Sequence, residues 1–242
     1  MCTLGAISSK FLFKNRDMGP DSGIQEDLVQ ERGRYKYVGV AGHASPLERG
    51  LNSGINEAGV SVAVTFVDHV PLPESISVKT PRGVLVEEIL RTAGDLTAAL
   101  RIISDYFLTP LVGGNIVILT PQGGAVIEQI YPRFAVEIIE TPITIRTNHF
   151  LNLALPRETS IDQQNTHARF QRFSQLLAPA VDSNFGLTQI HQALSDHAGK
   201  HPICRHGSQG RTVSTAIYDL RKKVLHYTYG NPCEGKFQSL AV

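Results

Sequence analysis

The 242-residue chain has no tryptophan, only two methionines and only three cysteines. Without tryptophan, and with 7% aromatic residues in all, it offers no aromatic cage for a flat cofactor, and no cofactor is expected. The cysteines, Cys2, Cys204 and Cys233, are odd in number and irregular in spacing. That argues against a disulfide framework and for a reducing, cytoplasmic setting. Charge of one sign is also missing: 23 basic residues stand against 22 acidic ones, so there is no footprint for nucleic acid. No apolar run approaches the ~20 residues of a membrane helix. Lys10, Lys14 and Arg16 follow the first apolar residues instead of preceding them, the reverse of a signal peptide. The glycine pairs at 113–114 and 123–124 form no GxGxxG or P-loop, so nucleotide binding has no support. With no repeat, linker or low-complexity segment, residues 1–242 read as one domain.

What is present is an alternation of strand and helix signals. Cys2, Leu4 and Ala6, then Phe11 and Phe13, flank Ser8-Ser9-Lys10 and predict a tight hairpin. A turn centred on Ser9-Lys10 makes paired positions sum to 19 and sets Cys2 opposite Asp17. Strands are predicted at 35–41, on both sides of the turn Asn56-Glu57-Ala58-Gly59 within 51–67, and at 115–120, 124–130, 134–139, 143–147, 211–219 and 223–229. The strand over 60–67 is nearly all apolar, as for one buried on both faces. From Leu85 to Phe107 apolar residues recur at three and four. Gly94-Asp95 reads as a stop and an N-cap, giving two helices. Two more helices are predicted at 163–178 and 188–198, the latter capped by Thr188. This order suits helices layered on two packed sheets, an α+β class.

Position 2 carries the chemistry. Methionine aminopeptidase removes Met1 before a small residue, leaving Cys2 with a free α-amine. A model α-amine has a pKa of ~7.7–8.0 and a free cysteine thiol one of ~8.5, so a residue with both groups holds a base and a strong nucleophile a few bonds apart. A buried structural cysteine is the plain alternative. A partner to orient the amine is available in Asn15-Arg16-Asp17. Strand alternation sends residues 16 and 17 to opposite faces. The register favours Asp17 as the acceptor for the amine, with Arg16 either favouring the thiolate or serving as a structural ion pair.

Cys2-Thr3, Asn15-Arg16-Asp17, Gly54-Ile55-Asn56-Glu57-Ala58-Gly59, Thr147-Asn148-His149-Phe150 and the stretch Thr212 to Asp219 followed by Gly230-Asn231-Pro232-Cys233 occur in one order over nearly the whole chain. In this the chain resembles the N-terminal-nucleophile (Ntn) amidohydrolases, and is most similar to the acyl-coenzyme A:6-aminopenicillanate acyltransferase-like family, with bile-salt hydrolases and penicillin V acylases as more distant relatives. The resemblance implies a four-layer αββα sandwich of two mainly antiparallel sheets, with Cys2 opening a central strand. It implies that Asn148 donates a side-chain N–H to an oxyanion hole, worth ~3 kcal/mol in such reactions. Phe66, where the distant relatives often have Asn or Tyr, can offer only its backbone N–H as a second donor. Relatives usually carry Arg where Lys14 precedes the tripeptide. Arg211 is the candidate for a late catalytic arginine, and Phe66 and His149 are candidates for substrate contact. The pocket is expected from segments near 18–25, 66–72 and 149–157.

The activity implied is acyl transfer from a small linear amide or acyl-thioester, through an acyl-enzyme on Cys2, to water or an amine. Homo-oligomerisation is left open. The transport-and-Golgi-organisation family also begins Met-Cys and carries Asn-Arg-Asp, which implies the alternative of a non-enzymatic ligand-binding or trafficking protein on the same scaffold. One rival constellation is the run His197, His201, Cys204, His206, all zinc-ligand types. Gly199 and Pro202 break any shared helical face, and no second ligand pair stands out elsewhere, so no metal is expected. Cys204 and His206 could share a strand face as a thiol–imidazole pair, but they lack a nearby orienting group and are read as structural or pocket-lining.

Overall fold

The computed structural model describes residues 1–19, 26–42, 49–67, 80–107, 109–154, 161–181, 185–207 and 210–242. One sheet contains β1 (Cys2–Ile7), β2 (Phe11–Met18), β10 (Ile143–Arg146), β11 (His206–Gly207), β12 (Gly210–Asp219), β13 (Val224–Tyr229) and β14 (Gln238–Ala241). Its order is β10-β1-β2-β12-β13-β14, with β11 pairing β12. The other runs in sequence order through β3 (Glu26–Arg32), β4 (Lys36–Gly42), β5 (Leu51–Asn56), β6 (Ser61–Phe66), β7 (Gly114–Thr120), β8 (Gly123–Ile130) and β9 (Arg133–Ile138). Every pairing is antiparallel.

Strand alternation builds the layers. Tyr37, Val62, Ile116 and Ile127 of the second sheet pack against helices α1 (Arg82–Thr92) and α2 (Leu96–Tyr106). Their neighbours Val38, Ala63, Val117 and Val126 point the other way, onto Leu4, Leu12, Ala216 and Tyr218 of the first sheet. On that sheet Phe13 and Ile217 turn outward beneath α3 (Ile161–Leu177) and α4 (Leu187–Leu194). Three apolar interfaces between four layers make the predicted αββα sandwich, with β6 to β8 buried on both faces.

Asp95 caps α2 as its sequence predicts, accepting from the Ala98 N–H at 2.8 Å. Thr188 does not cap α4. The N-cap is Gly186, whose N–H is taken by the Gln189 side chain at 3.0 Å. The helix stops at Leu194, well short of the predicted 198. Strand β3 escapes a pattern reading because its sequence EDLVQER lies on a sheet edge with mostly exposed or half-buried residues.

Asn56, in the Gly54–Gly59 stretch, has a structural task. Its Nδ2 donates to Leu90 O and Ala93 O at the end of α1, and its Oδ1 accepts from the N–H groups of Ala58 and Val60. It is fully buried. At about 1 kcal/mol net per bond, with unpaired carbonyls left behind, Asn56→Ala should lower the unfolding free energy by about 2–4 kcal/mol. Urea denaturation measures this, and a loss under about 0.5 kcal/mol would mean the four bonds contribute little.

Candidate active site

The hairpin that carries Cys2 differs from its predicted register by one residue. Three residues, Ser8, Ser9 and Lys10, form the turn, with Ser9 at φ 59° and Lys10 N–H bonded to Ile7 O at 3.0 Å. Paired positions therefore sum to 18, and Cys2 faces Arg16. Because side chains alternate, a one-residue slip exchanges the faces. Arg16 shares the Cys2 face. Asp17 instead faces Met1 through two main-chain bonds, Met1 N–H to Asp17 O and Asp17 N–H to Met1 O, at 2.6 and 2.7 Å. One Asp17 carboxylate oxygen accepts from Thr212 Oγ1 at 2.8 Å, and the other has no hydrogen-bond partner among the described residues.

Cys2 is 8% exposed and lines a cavity of about 240 Å³ at one end of the space between the sheets, with Lys14, Arg16, Phe66 and Arg82. Polar bonds join the sheets there. Arg16 pairs with Glu26, Lys14 Nζ donates to Asn52 Oδ1 at 3.3 Å, and Tyr227 donates to Glu26 at 2.7 Å. Burial lowers the Lys14 pKa. Cys2 and Glu26 oppose that shift, and Arg16 and Arg82 reinforce it. For Glu26, burial pushes upward. Arg16 and hydrogen bonds from Ser214, Arg16 and Tyr227 outweigh it and hold the carboxyl below its ordinary 4.5. A depressed carboxyl adds stability above its unfolded value and loses it as pH falls through its folded value. Glu26→Gln should therefore cost about 3–5 kcal/mol near pH 7, as breaking a buried pair does. The gap from wild type should close below about pH 4.5. Unfolding curves across pH 3–7 test this, and a gap independent of pH would contradict it.

Asn148 follows β10 and is held from every side. The Cys2 N–H donates to its Oδ1 at 2.9 Å, and Arg169 Nη2 donates to the same atom at 2.8 Å. Its Nδ2 donates to Phe66 O at 2.7 Å. Two donors on one side and an acceptor on the other fix the amide's orientation. The Asn148 N–H donates to Thr166 Oγ1 at 2.7 Å, and Asn115 Nδ2 reaches both flanking carbonyls, those of Thr147 and His149. Beyond the turn, the N–H groups of Leu151, Asn152 and Leu153 all donate to the buried carboxylate of Glu128.

Cys2, Arg16, Asn148 and Phe66 are thus brought together, Phe66 offering its carbonyl to Asn148. Two predicted residues lie elsewhere. His149 turns away from the cavity. Its ring is 4.1 Å from that of His167, and its Nδ1 is 3.0 Å from Thr166 Oγ1, so it packs on α3. Arg211 is exposed, in register with Met18 and His206. Another late arginine, Arg205, places its Nη1 3.7 Å from Met1 Sδ. Of the expected pocket segments, Met18 and Phe66 line the cavity, and residues 20–25, 68–72 and 155–157 fall outside the described ones.

Arg169 is the residue a pattern reading misses. It is fully buried, and its Nη1 donates to Cys2 O and Thr3 Oγ1 at 2.7 and 2.8 Å. The available signal is its place on α3: Thr166, Arg169, Phe173 and Leu177 form one buried stripe, and a cation on an apolar stripe needs a partner.

The fold is that of the N-terminal-nucleophile hydrolases. A variant of the conjugated bile acid hydrolase of Clostridium perfringens superposes with a TM-score of 0.65 at 12% identity, covering 100% of this chain and 97% of that one. Penicillin V acylase of Agrobacterium tumefaciens gives 0.62 at 13%, covering 100% and 86%. The Caenorhabditis elegans ortholog of N-acylethanolamine-hydrolyzing acid amidase gives 0.63 at 14%, covering 90% and 92%. Among curated proteins no sequence matches this chain. Residues 6–234 match the acyl-coenzyme A:6-aminopenicillanic acid acyl-transferase family, and the chain belongs to that family. No helix among the described residues is long and apolar enough to cross a membrane.

Proposed function

We propose that the protein is an N-terminal cysteine amidohydrolase or acyltransferase that acts on a small linear amide or acyl-thioester once Met1 is removed. The observation that carries this reading is the bond from Cys2 N to Asn148 Oδ1 beside the cavity. With Met1 gone, that nitrogen is an α-amine held by one acceptor. It takes the thiol proton as Sγ attacks the substrate carbonyl. The tetrahedral oxyanion collapses, and the α-ammonium returns the proton to the departing amine or thiolate. Water, or an acceptor amine, then attacks the thioester with the α-amine again as base, releasing the acyl group and restoring the thiol. One Nδ2 proton of Asn148 is taken by Phe66 O. The second is the oxyanion donor, with the Phe66 N–H as its companion.

Lys14, Arg16, Arg82 and Asp17 line the cavity, and Glu26 is tied to Arg16. Three free thiols fit a reducing, cytoplasmic setting.

The intact mass shows whether Met1 is lost, and a panel of N-acyl amino acids, penicillins and peptides then shows turnover. Asn148→Ala should lower kcat by about 10²–10³-fold, the usual effect of deleting one oxyanion donor. Retained Met1, or a panel that binds without turning over, would favour a ligand-binding role instead.

A further inference from the structure

Away from the nucleophile, four side chains from distant parts of the sequence converge. The ligand atoms of His197, Cys204, His206 and Cys233 all lie within 4.8 Å of one another. Cys233 supplies the ligand missing from the run at 197–206, because the turn after β13 folds back over the segment before β12. His201 of that run is not in the group.

The spacings have a definite meaning. Zinc bonds of about 2.3 Å to sulfur and about 2.05 Å to nitrogen give tetrahedral edges of roughly 3.8 Å for S···S, 3.5 Å for S···N and 3.3 Å for N···N. Here Cys204 Sγ lies 3.6 Å from Cys233 Sγ, and His206 Nε2 lies 3.5 and 3.3 Å from those two sulfurs. His197 Nε2 lies 3.1 Å from His206 Nε2. Four edges thus match a tetrahedron to within about 0.3 Å.

The surroundings match as well. Asn231 Nδ2 donates to Cys204 Sγ at 3.4 Å and to Arg205 O at 2.7 Å. Glu234 Oε1 stands 3.8 Å from His206 Nδ1, the nitrogen facing away from the cluster. An amide N–H on a thiolate and a carboxylate behind a ligating imidazole are the usual outer partners of a metal site. Cys204 is buried while the other three are exposed, which leaves a path in from solvent.

We propose that His197, Cys204, His206 and Cys233 form a closed, structural Cys2His2 site for Zn²⁺. Four protein ligands leave no open position for water, so the ion cross-links segments and does no hydrolysis. It would pin the turn at 231–235 to the segment carrying Arg205. The Arg205 N–H donates to Thr212 Oγ1 at 2.9 Å, and Thr212 donates to Asp17. The ion therefore braces the end of the N-terminal hairpin that carries Asp17, through Arg205 and Thr212.

The test is elemental analysis of the full-length protein, purified under reducing conditions without chelator, followed by titration of the metal-free form with zinc alone and with cobalt. About one zinc per chain is expected. The cobalt form should show strong visible bands of a tetrahedral site and a near-ultraviolet thiolate band. Cys204→Ser and Cys233→Ser should lose the metal and the thiolate band, Asn231→Ala should bind about 10–100-fold more weakly, and His201→Ala should bind as wild type. Because the wild-type titration stands alone, a variant that fails to fold leaves the test intact. The proposal is overturned if the reduced wild type takes up no zinc at micromolar concentration, if its cobalt form lacks the thiolate band, or if Cys204 and Cys233 are isolated as a disulfide under these conditions.

Discussion

Cys2→Ala should abolish turnover, lowering kcat/KM by at least about 10⁴-fold, while leaving the fold intact. A nucleophile acts as a unit with its base and oxyanion donors, so its loss leaves only what binding and the remaining donors supply. The structural cost is small, because Cys2 is held by its main chain, through its N–H to Asn148 and its carbonyl to Arg169. Alanine keeps both bonds and removes one sulfur, worth about 1 kcal/mol or less of burial. Activity and thermal unfolding measured on the same preparation separate the two effects. A companion variant isolates the base. Inserting a glutamate between Met1 and Cys2 blocks methionine removal, keeps the thiol and turns the α-amine into an amide. It should still be alkylated by iodoacetamide but turn over no substrate. If the insertion variant keeps its rate, the α-amine is not the base.

The features legible in the sequence are those set by short-range pattern. The nearly unbroken apolar run of β6 predicted burial on both faces, and Gly94-Asp95 predicted the break between α1 and α2, because these signals lie within a few residues of what they specify. What depended on counting through a turn was lost. One additional turn residue, with Ser9 in a positive-φ conformation, moved Arg16 to the Cys2 face in place of Asp17. The partners that hold the site left almost no local mark. Asn115, Glu128, Thr166 and Arg169 reach it across the fold, and of these only Arg169, a cation on the apolar stripe of α3, signals the need for a partner. The same holds for Cys233, which joins the histidines only once β12 and β13 are paired.

Arg169 supplies the second large effect. Its guanidinium spends donors on Asn165 Oδ1, Cys2 O, Thr3 Oγ1 and Asn148 Oδ1, at 2.7, 2.7, 2.8 and 2.8 Å. Methionine retains the apolar stem and removes all four bonds. Charge-assisted bonds contribute about 1.5–3 kcal/mol each when first made, and the acceptors stranded in a buried site add to the cost of deletion. Arg169→Met should therefore destabilise the fold by about 3–5 kcal/mol, and Arg169→Lys by less, since one ammonium reaches only some of these acceptors. The kinetic consequence is separable from the structural one. The guanidinium and the Cys2 nitrogen meet at the same Asn148 oxygen, so the cation disfavours a second positive charge on the processed amine. Its removal should let the ammonium form persist to higher pH and move the acidic limb of the kcat/KM profile upward, with kcat reduced by about 10²-fold as Asn148 loses its fixed orientation. Profiles taken well below the melting temperature of each variant decide the matter. If activity falls only with the folded fraction and the limb stays in place, Arg169 supports the fold and does not position the base.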